Sequence, residues 1–268
     1  MIALSEHVAG RAFDSIADEY DLVFTNSVIG RAQRAVVWER AAALFPAGSR
    51  ILELNCGTGE DAVFLASKGI SVTACDASIR MIDQASSRRL AEGSQGSVEF
   101  RLLPSERLHE LPPAESFDGA FSNFSGLNCV PELDQIAREL SERLCSAAPV
   151  LLCLSTRFCA WEMLHYLAHG DVRRALRRCS GFNRAKLGPE VVPVYYPTLR
   201  SISKSFQPYF RLNSVVGVGI CVPPSYMEEW VARYPGLFRV CKSIDSLIHE
   251  WRGIRVLGDH MLLHLERI

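Results

Sequence analysis

The most constraining feature of the chain is a glycine turn between two apolar strands. The segment Arg50–Asp61 reads RILELNCGTGED, and Ile70–Ser78 reads ISVTACDAS. The pattern predicts a buried strand, a tight turn through Gly57 and Gly59, the start of a helix, and a second strand that ends in Asp76. A strand, a helix and a strand in this order form half of an α/β nucleotide-binding unit, whose ligand lies at the turn.

Acidic residues around this turn indicate which ligand suits it. The residues GTGEDA fit the pattern G-x-G-x-x-G/A, in which a pyrophosphate lies at the start of the helix. Here Glu60 and Asp61 begin that helix and Glu53 precedes the turn, so three carboxylates would repel a pyrophosphate. The same carboxylates favour a ligand that carries an ammonium and a sulfonium but no phosphate, as S-adenosylmethionine (SAM) does. Asp76 can accept hydrogen bonds from two ribose hydroxyls.

These segments also carry a family resemblance. ELNCGTGED followed by CDAS resembles motif I and the acidic residue after it in class I SAM-dependent methyltransferases. Phe13–Asp21 resembles the tyrosine-containing N-terminal helix that closes over the methionine end of the cofactor, and Phe117–Asn128 resembles the fourth strand and its loop. The resemblance covers about residues 13–155. It implies a Rossmann-like sheet, SAM as the cofactor and methyl transfer, but no particular substrate.

Strand and helix patterns alternate along the chain, which predicts an α/β fold with a parallel sheet and helices on both faces. The resemblance implies that this sheet is Rossmann-like, doubly wound, seven-stranded and mostly parallel. The resemblance implies that the last strand, Asp259–Arg267, is antiparallel and lies between the fifth and sixth strands. Residues 10–24 read as one helix, and Cys179–Tyr196 reads as a connector. The chain is interpreted as a single domain, with N-terminal helices in 1–48, a cofactor-binding core in 49–155, and helical cap insertions with C-terminal strands in 156–268.

Composition narrows the range of partners. The net charge is −1, and 48% of the residues are apolar. This balance supports a core and gives no field that attracts nucleic acid or an anionic membrane. The segment MIALSEHVAGRAF lacks the features of a signal peptide, and no apolar run is long enough to span a membrane. The nine cysteines form no C-x-x-C pair. We therefore expect a cytoplasmic protein with reduced thiols, without a metal, a membrane span or a nucleic-acid partner.

Most candidate cofactor-binding residues follow the carboxyl ends of the expected strands, where such sheets bind ligands. The candidates are Tyr20, Glu53, Asn55, Gly57, Thr58, Gly59, Asp76, Ala77, Met81, Ser105, Glu106, Asn123 and Phe124. Met81 can pack on the adenine face, and the resemblance assigns Tyr20 to the methionine moiety. The segment after the third strand departs from the family, because Pro104 stands where many members have an aspartate near the adenine. Ser105 and Glu106 are the remaining candidates there.

Candidate acceptor-binding residues come from the segment after the fifth strand. They are Arg157, Trp161, Tyr195 and Tyr196. Arg157, Trp161 and His165 have the spacing of one stripe on an expected helix, 157–178. His165 and His260 suit a general base by the ordinary pKa of histidine. A preformed carboxylate or an acidic enol needs no base, so the sequence leaves the catalytic residue open.

Two sets of arginines have alternative interpretations. Arg173, Arg174, Arg177 and Arg178 share about one helix face, which favours a solvated surface over a phosphate or carboxylate site. Arg31 or Arg34 could bind the methionine carboxylate, but a solvated helix face is again the favoured interpretation.

Several functional classes remain compatible with these features. We expect a methyltransferase that acts on oxygen or carbon of a small apolar or aromatic acceptor, because segments 191–197 and 221–238 are rich in aromatic residues and proline. An RNA or protein methyltransferase would need a basic face or a recognition domain. A SAM-fold protein that does not transfer methyl groups is a further alternative, and a dehydrogenase is disfavoured by the acids at the turn.

Overall fold

The computed structural model describes residues 7–92 and 97–268, and its central element is a seven-stranded sheet. The strands of the described residues are β1 (Arg50–Leu54), β2 (Ser71–Asp76), β3 (Val98–Leu102), β4 (Gly119–Ser122), β5 (Pro149–Ser155), β6 (Phe182–Leu187), β7 (Glu190–Tyr195), β8 (Phe210–Val218) and β9 (His260–Arg267). The order in the sheet is β3-β2-β1-β4-β5-β9-β8, in which β9 runs antiparallel to both neighbours. The expected Rossmann-like sheet with an antiparallel last strand between the fifth and sixth strands is confirmed.

Helices flank both faces of this sheet. They are α1 (Val8–Asp14), α2 (Ala17–Tyr20), α3 (Val28–Leu44), α4 (Glu60–Ser67), α5 (Ile79–Glu92), α6 (Leu133–Arg143), α7 (Ala160–Ala168), α8 (Val172–Ala175), α9 (Leu199–Phe206), α10 (Glu228–Arg233) and α11 (Pro235–Ile248). Hydroxyl caps begin several of them: Ser27 accepts a hydrogen bond from the Gly30 N–H at 2.8 Å before α3. No helix of the described residues is long and apolar enough to cross a membrane.

The core lies on the two faces of the sheet, as the alternation of side chains along β1 requires. Leu52 and Leu54 pack on one face with residues of α6 and α9. Ile51 packs on the other face with residues of α3 and α4. The same alternation directs Glu53 to the face covered by α3 and α4, which brings a carboxylate into an otherwise apolar layer.

A smaller apolar cluster attaches the helical cap to the core. Ile29 of α3 packs with Val222, Met227, Val231, Phe238 and Cys241. Because these residues come from α10, α11 and the segment before them, the insertion after β8 folds back onto α3. This packing closes one side of the rim where the parallel strands end.

Two expectations about secondary structure are wrong. The predicted helix 10–24 is divided into α1, α2 and a π-helical turn at Asp21–Thr25. The Ser15 hydroxyl donates to the Ala12 carbonyl at 2.7 Å, a local bond that competes with helix continuation. The predicted connector 179–196 contains the antiparallel hairpin β6–β7, whose turn includes Gly188 at φ 56°. Pro193 argued against a strand, but a two-stranded sheet has edge positions that tolerate proline.

Candidate active site

A cavity lies where β1, β2 and β4 end, beside the glycine turn. The Asp76 carboxylate organises the turn: its Oδ2 accepts from the Gly57 N–H at 2.8 Å and its Oδ1 accepts from the Ser78 N–H at 2.9 Å. Gly57 has φ 54°, and no atom lies within 4 Å of the position that a Cβ would occupy. Burial raises the pKa of Asp76, while these backbone N–H groups act to lower it.

Most of the predicted cofactor-binding residues line this cavity. They are Tyr20, Asn55, Gly57, Thr58, Asp76, Ala77, Met81, Glu106, Asn123 and Phe124. The lining also includes His7, which the sequence did not single out, and Phe13, Arg34 and Asp61, which were named in the sequence analysis but not as cofactor-binding candidates of first choice. Phe13 lay inside a segment recognised by resemblance, whereas Arg34 was named together with Arg31 as a possible ligand of the methionine carboxylate, with a solvated helix face as the favoured interpretation.

Three predicted cofactor residues lie outside the lining, and their role as ligands stays a prediction. A Cβ on Gly59 would approach the Ala85 Cβ to 2.7 Å, so this glycine permits close packing between the turn and α5. The Ser105 hydroxyl donates to Asn55 Oδ1 at 3.0 Å, so Ser105 contacts a residue that lines the cavity without lining it itself. The third, Glu53, is buried, with 1% of its surface exposed.

Arginines compensate two of the three acids near the turn. Arg34 forms a buried ion pair with Asp61 at 2.5 Å, although a solvated position was favoured for it. Trp38 Nε1 and Asn123 Nδ2 also donate to Asp61, at 2.6 and 3.1 Å. Glu60 is paired with Arg88. Charge around the turn therefore excludes a pyrophosphate less strongly than the sequence indicated.

Glu53 is the acid that keeps an unsatisfied atom. Its Oε2 has no hydrogen-bond partner among the described residues. Burial, followed by the negative charge of Asp61, raises the pKa of Glu53 well above its usual value. Burial therefore favours the neutral carboxyl group, and a cation placed beside it would favour its ionisation.

The N-terminal helices form a roof over the cavity. Asp14 Oδ1 accepts from the Ser78 hydroxyl at 2.6 Å and from the Arg80 N–H at 3.0 Å. Asp18 pairs with Arg80 at 2.8 Å, and Asp21 Oδ1 accepts from the Thr58 hydroxyl at 2.6 Å. These contacts fasten the roof to α5 and to the glycine turn.

A second cavity adjoins the first and shares Tyr20 and Phe124 with it. Aromatic rings form the common wall: Phe24 and Phe124 have centroids 4.8 Å apart, and Phe124 and His260 have centroids 5.4 Å apart. Phe124 has φ 43°, and its N–H donates to the Asn123 Oδ1 at 2.9 Å. This unusual backbone conformation directs the ring between the two cavities. Burial raises the pKa of Tyr20 to about 12, so its hydroxyl stays protonated.

A buried ion network supports the far wall of the second cavity. Glu162 accepts from Arg177 Nε at 2.6 Å and from Arg178 Nη2 at 2.8 Å, and Arg178 Nη2 also pairs with Asp259 at 2.9 Å. The Tyr226 hydroxyl donates to Glu162 at 3.0 Å. The expectation that the whole arginine run faces solvent is therefore wrong for Arg178, because two buried carboxylates compensate its charge.

The predicted acceptor-binding residues are not brought together at this cavity, and that role stays a prediction for them. Arg157 precedes α7, so the expected helix stripe does not include it, and its Nε donates to the Tyr196 carbonyl at 3.0 Å. Trp161 and His165 line a separate groove. The Tyr195 carbonyl accepts from Asn128 Nδ2 at 2.6 Å.

Tyr196 packs against the Arg178 guanidinium, 5.4 Å from its ring centroid. Of the two candidate bases, His260 lines the second cavity and His165 does not. Tyr226 and Asp259, which the sequence did not single out, line that cavity as well.

A doubly wound sheet with a glycine turn and an acid at the end of its second strand defines an α/β protein that binds a nucleoside-containing cofactor. Residues 51–146 match the family model described as a methyltransferase domain. This match confirms, over these residues, the resemblance to class I SAM-dependent methyltransferases.

Individual relatives differ in what they are named for. The chain is 33% identical to demethylmenaquinone methyltransferase of Thermobifida fusca (strain YX) over 132 residues, which are 48% of this chain and 52% of that protein. It is 30% identical to tRNA 5-carboxymethoxyuridine methyltransferase of Escherichia coli (strain K12) over 94 residues, 34% of this chain and 36% of that protein. The chain thus spans about a third to a half of the length of these curated relatives.

Likeness to a solved structure extends over nearly the whole chain. The crystal structure of the cyclase SpnF superimposes with a TM-score of 0.63 at 16% sequence identity, covering 96% of this chain and 94% of that one. At this identity the likeness shows the fold.

Proposed function

We propose that this protein transfers a methyl group from SAM to oxygen or carbon of a small, apolar or aromatic acceptor. The observation that carries the proposal is the pair of adjoining cavities with the common wall of Tyr20 and Phe124. The first cavity contains the turn and the acid that the family uses for SAM. The second offers an aromatic surface next to it.

The residues of the first cavity fit the chemical groups of SAM. The Asp76 carboxylate accepts the backbone N–H groups of Gly57 and Ser78 and, as an acceptor with about four lone-pair sites, can also accept from ribose hydroxyls. The open space beside Gly57 lets a ligand approach the backbone closely. Met81, 1% exposed, lies in the wall available to an adenine ring. The orphaned Glu53 oxygen is consistent with a cationic ligand group nearby.

When bound, SAM supplies an activated methyl group on its sulfonium. The protein must hold the nucleophile in line with that methyl group and exclude water. Tyr20, Phe24 and Phe124 form a packed aromatic junction between the cavities, which suits both tasks. The Arg34 guanidinium lies over the Phe124 ring, 4.9 Å from its centroid, on the side of the first cavity's lining.

Calorimetric titration with S-adenosylhomocysteine (SAH) tests the cofactor assignment. We expect micromolar binding by the unmodified protein, and Asp76→Ala should weaken it at least tenfold, about 1.4 kcal/mol. Asp83→Ala is the matched control, because Asp83 lies exposed on α5 near the turn, and it should leave the affinity unchanged. Binding of NADH in place of SAH, or of neither, would contradict the proposal.

An acceptor screen with methyl-labelled SAM then tests the reaction. Quinols, phenols and other small aromatic compounds should accept the label, whereas tRNA and protein should not. Label transfer confined to tRNA or protein would overturn the acceptor class.

A second candidate function is SAM-fold catalysis without methyl transfer. The fold shared with a protein named as a cyclase, over 96% of this chain, favours it. Tight SAH binding combined with no methyl transfer to any acceptor class would support this candidate against the first.

A further inference from the structure

We propose that His260, oriented by Asp259, is the proton acceptor of the second cavity, and that the methyl acceptor therefore carries an acidic hydroxyl group, as phenols and enols do. This inference rests on the proposed methyl transfer. In that reaction His260 is the catalytic residue, Asp259 is a positioning residue, and the substrate is a compound with an acidic hydroxyl group.

The antiparallel direction of the last strand places His260 at the second cavity. His260 is the first residue of β9, which runs antiparallel to β5, so its start lies at the edge where β1, β2 and β4 end. The side chain is buried except where it lines the second cavity, and its ring contacts Phe124 edge to face at 5.4 Å. Phe124 also lines the first cavity, so a single aromatic ring separates His260 from the cavity expected to bind the cofactor.

The Asp259 carboxylate lies beside the imidazole of His260. His260 Nδ1 lies 3.5 Å from Asp259 Oδ2 and is buried without a hydrogen-bond partner in the described part of the chain. Arg178 pairs with Asp259 Oδ1 at 2.9 Å, and Gln33 Nε2 donates to its Oδ2 at 3.4 Å, so the carboxylate itself is fixed. A proton on Nδ1 directed at this carboxylate leaves the Nε2 lone pair available to a substrate hydroxyl.

The surroundings keep the imidazole neutral. Burial lowers the pKa of His260, Asp259 raises it, and Arg178 lowers it again, with a net shift below the usual value of 6.5. Burial alone would raise the pKa of Asp259, but His260 and Arg178 bring it below its usual value. Other titratable or charged groups around this cavity and its supporting network are Glu19, Tyr20, Glu162, Arg177 and Tyr226.

The proton balance of the step defines the substrate class. Nε2 takes the hydroxyl proton while an oxygen electron pair forms the bond to the methyl carbon. The carbon–sulfur bond of SAM breaks, its electron pair stays on sulfur, and the products are the methyl ether, SAH and an imidazolium facing Asp259. The imidazolium then releases its proton to solvent. A weak base of this kind matches a phenol or enol better than an alkyl alcohol, whose proton is far less acidic.

Nitrogen NMR of protein that carries labelled histidine tests the protonation state and the tautomer of His260 without any acceptor. We expect His260 to be neutral at pH 7 with its proton on Nδ1 and to titrate below pH 6.5, with the signal assigned through His260→Gln. A proton on Nε2, or titration above pH 6.5, would overturn the proposal.

Kinetics with a panel of phenols tests the role in transfer. His260→Gln should lower kcat by about 10²–10⁴ and abolish the acid limb of the pH profile below pH 6.5, while SAH affinity stays unchanged. His264→Gln, on the same strand and outside the residues that line the cavity, is the matched control and should retain full activity.

The two proposals fail in distinguishable ways. No SAH binding by the unmodified protein would remove the proposed function. SAH binding without methylation of any phenol, or phenol methylation that His260→Gln changes less than threefold, would overturn the role of His260 alone.

Discussion

Alanine substitutions at Gly57 and Gly59 should distinguish the ligand-binding role of Gly57 from the packing role of Gly59. Both residues have left-handed backbones, with φ 54° at Gly57 and φ 78° at Gly59, a conformation that costs an L-residue about 1–2 kcal/mol. At Gly59 a Cβ would also meet the Ala85 Cβ at 2.7 Å and the Phe100 ring at 2.9 Å. Overpacking of this kind adds about 1–3 kcal/mol. Gly59→Ala should therefore cost about 2–5 kcal/mol of unfolding free energy, against about 1–2 for Gly57→Ala.

Urea denaturation combined with SAH titration measures the two effects separately. Gly57→Ala should fold with a modest loss of stability but bind SAH at least tenfold more weakly, because its new methyl group enters the space beside the cavity. Gly59→Ala should show the larger loss of stability and, where it remains folded, the smaller loss of affinity. The reverse order of stabilities, or equal SAH affinities for Gly57→Ala and the unmodified protein, would refute this division of roles.

Two further predictions concern buried charge. Arg34→Ala leaves Asp61 as an uncompensated buried carboxylate and should lower the unfolding free energy by about 3–5 kcal/mol, whereas the exposed Arg31→Ala should change it by less than about 0.5 in the same urea titration. For Glu53, a folded-state pKa raised above the usual 4.5 means that stability is complete below that value and is lost as pH rises toward the folded pKa. The Tm advantage of Glu53→Gln over the unmodified protein should therefore grow from pH 5 to pH 8, and a constant difference would show that Glu53 titrates normally.

Local periodicity explains why the central sheet could be predicted. Along β1 and β2, the apolar residues, the glycine turn and Asp76 all lie within one short segment, so neighbouring residues determine the structure. The hairpin β6–β7 could not be predicted, because Gly188 and Pro193 are typical of loops and the pairing partner alone makes the segment a strand.

The candidate site was predicted in part for the same reason. Residues next to strand ends, such as Asp76 and Phe124, were identified by position in the sequence, and they line the cavity. Arg34 and Arg178 were not, because their burial depends on Asp61 and Asp259, which lie far away in the sequence. Helix periodicity shows which residues share a face, but it does not reveal a distant counter-charge that lets an arginine be buried.

Because β9 is antiparallel to its neighbours, its last residues lie at the edge of the sheet that is opposite the cavities. The Arg267 N–H donates to the Ala148 carbonyl and the Ile268 N–H to the Tyr209 carbonyl, at the edge where β5 and β8 begin. An affinity tag or fluorescent fusion attached after Ile268 therefore emerges on the side opposite both cavities. Labelling, immobilisation and fusion strategies should accordingly use the carboxyl end.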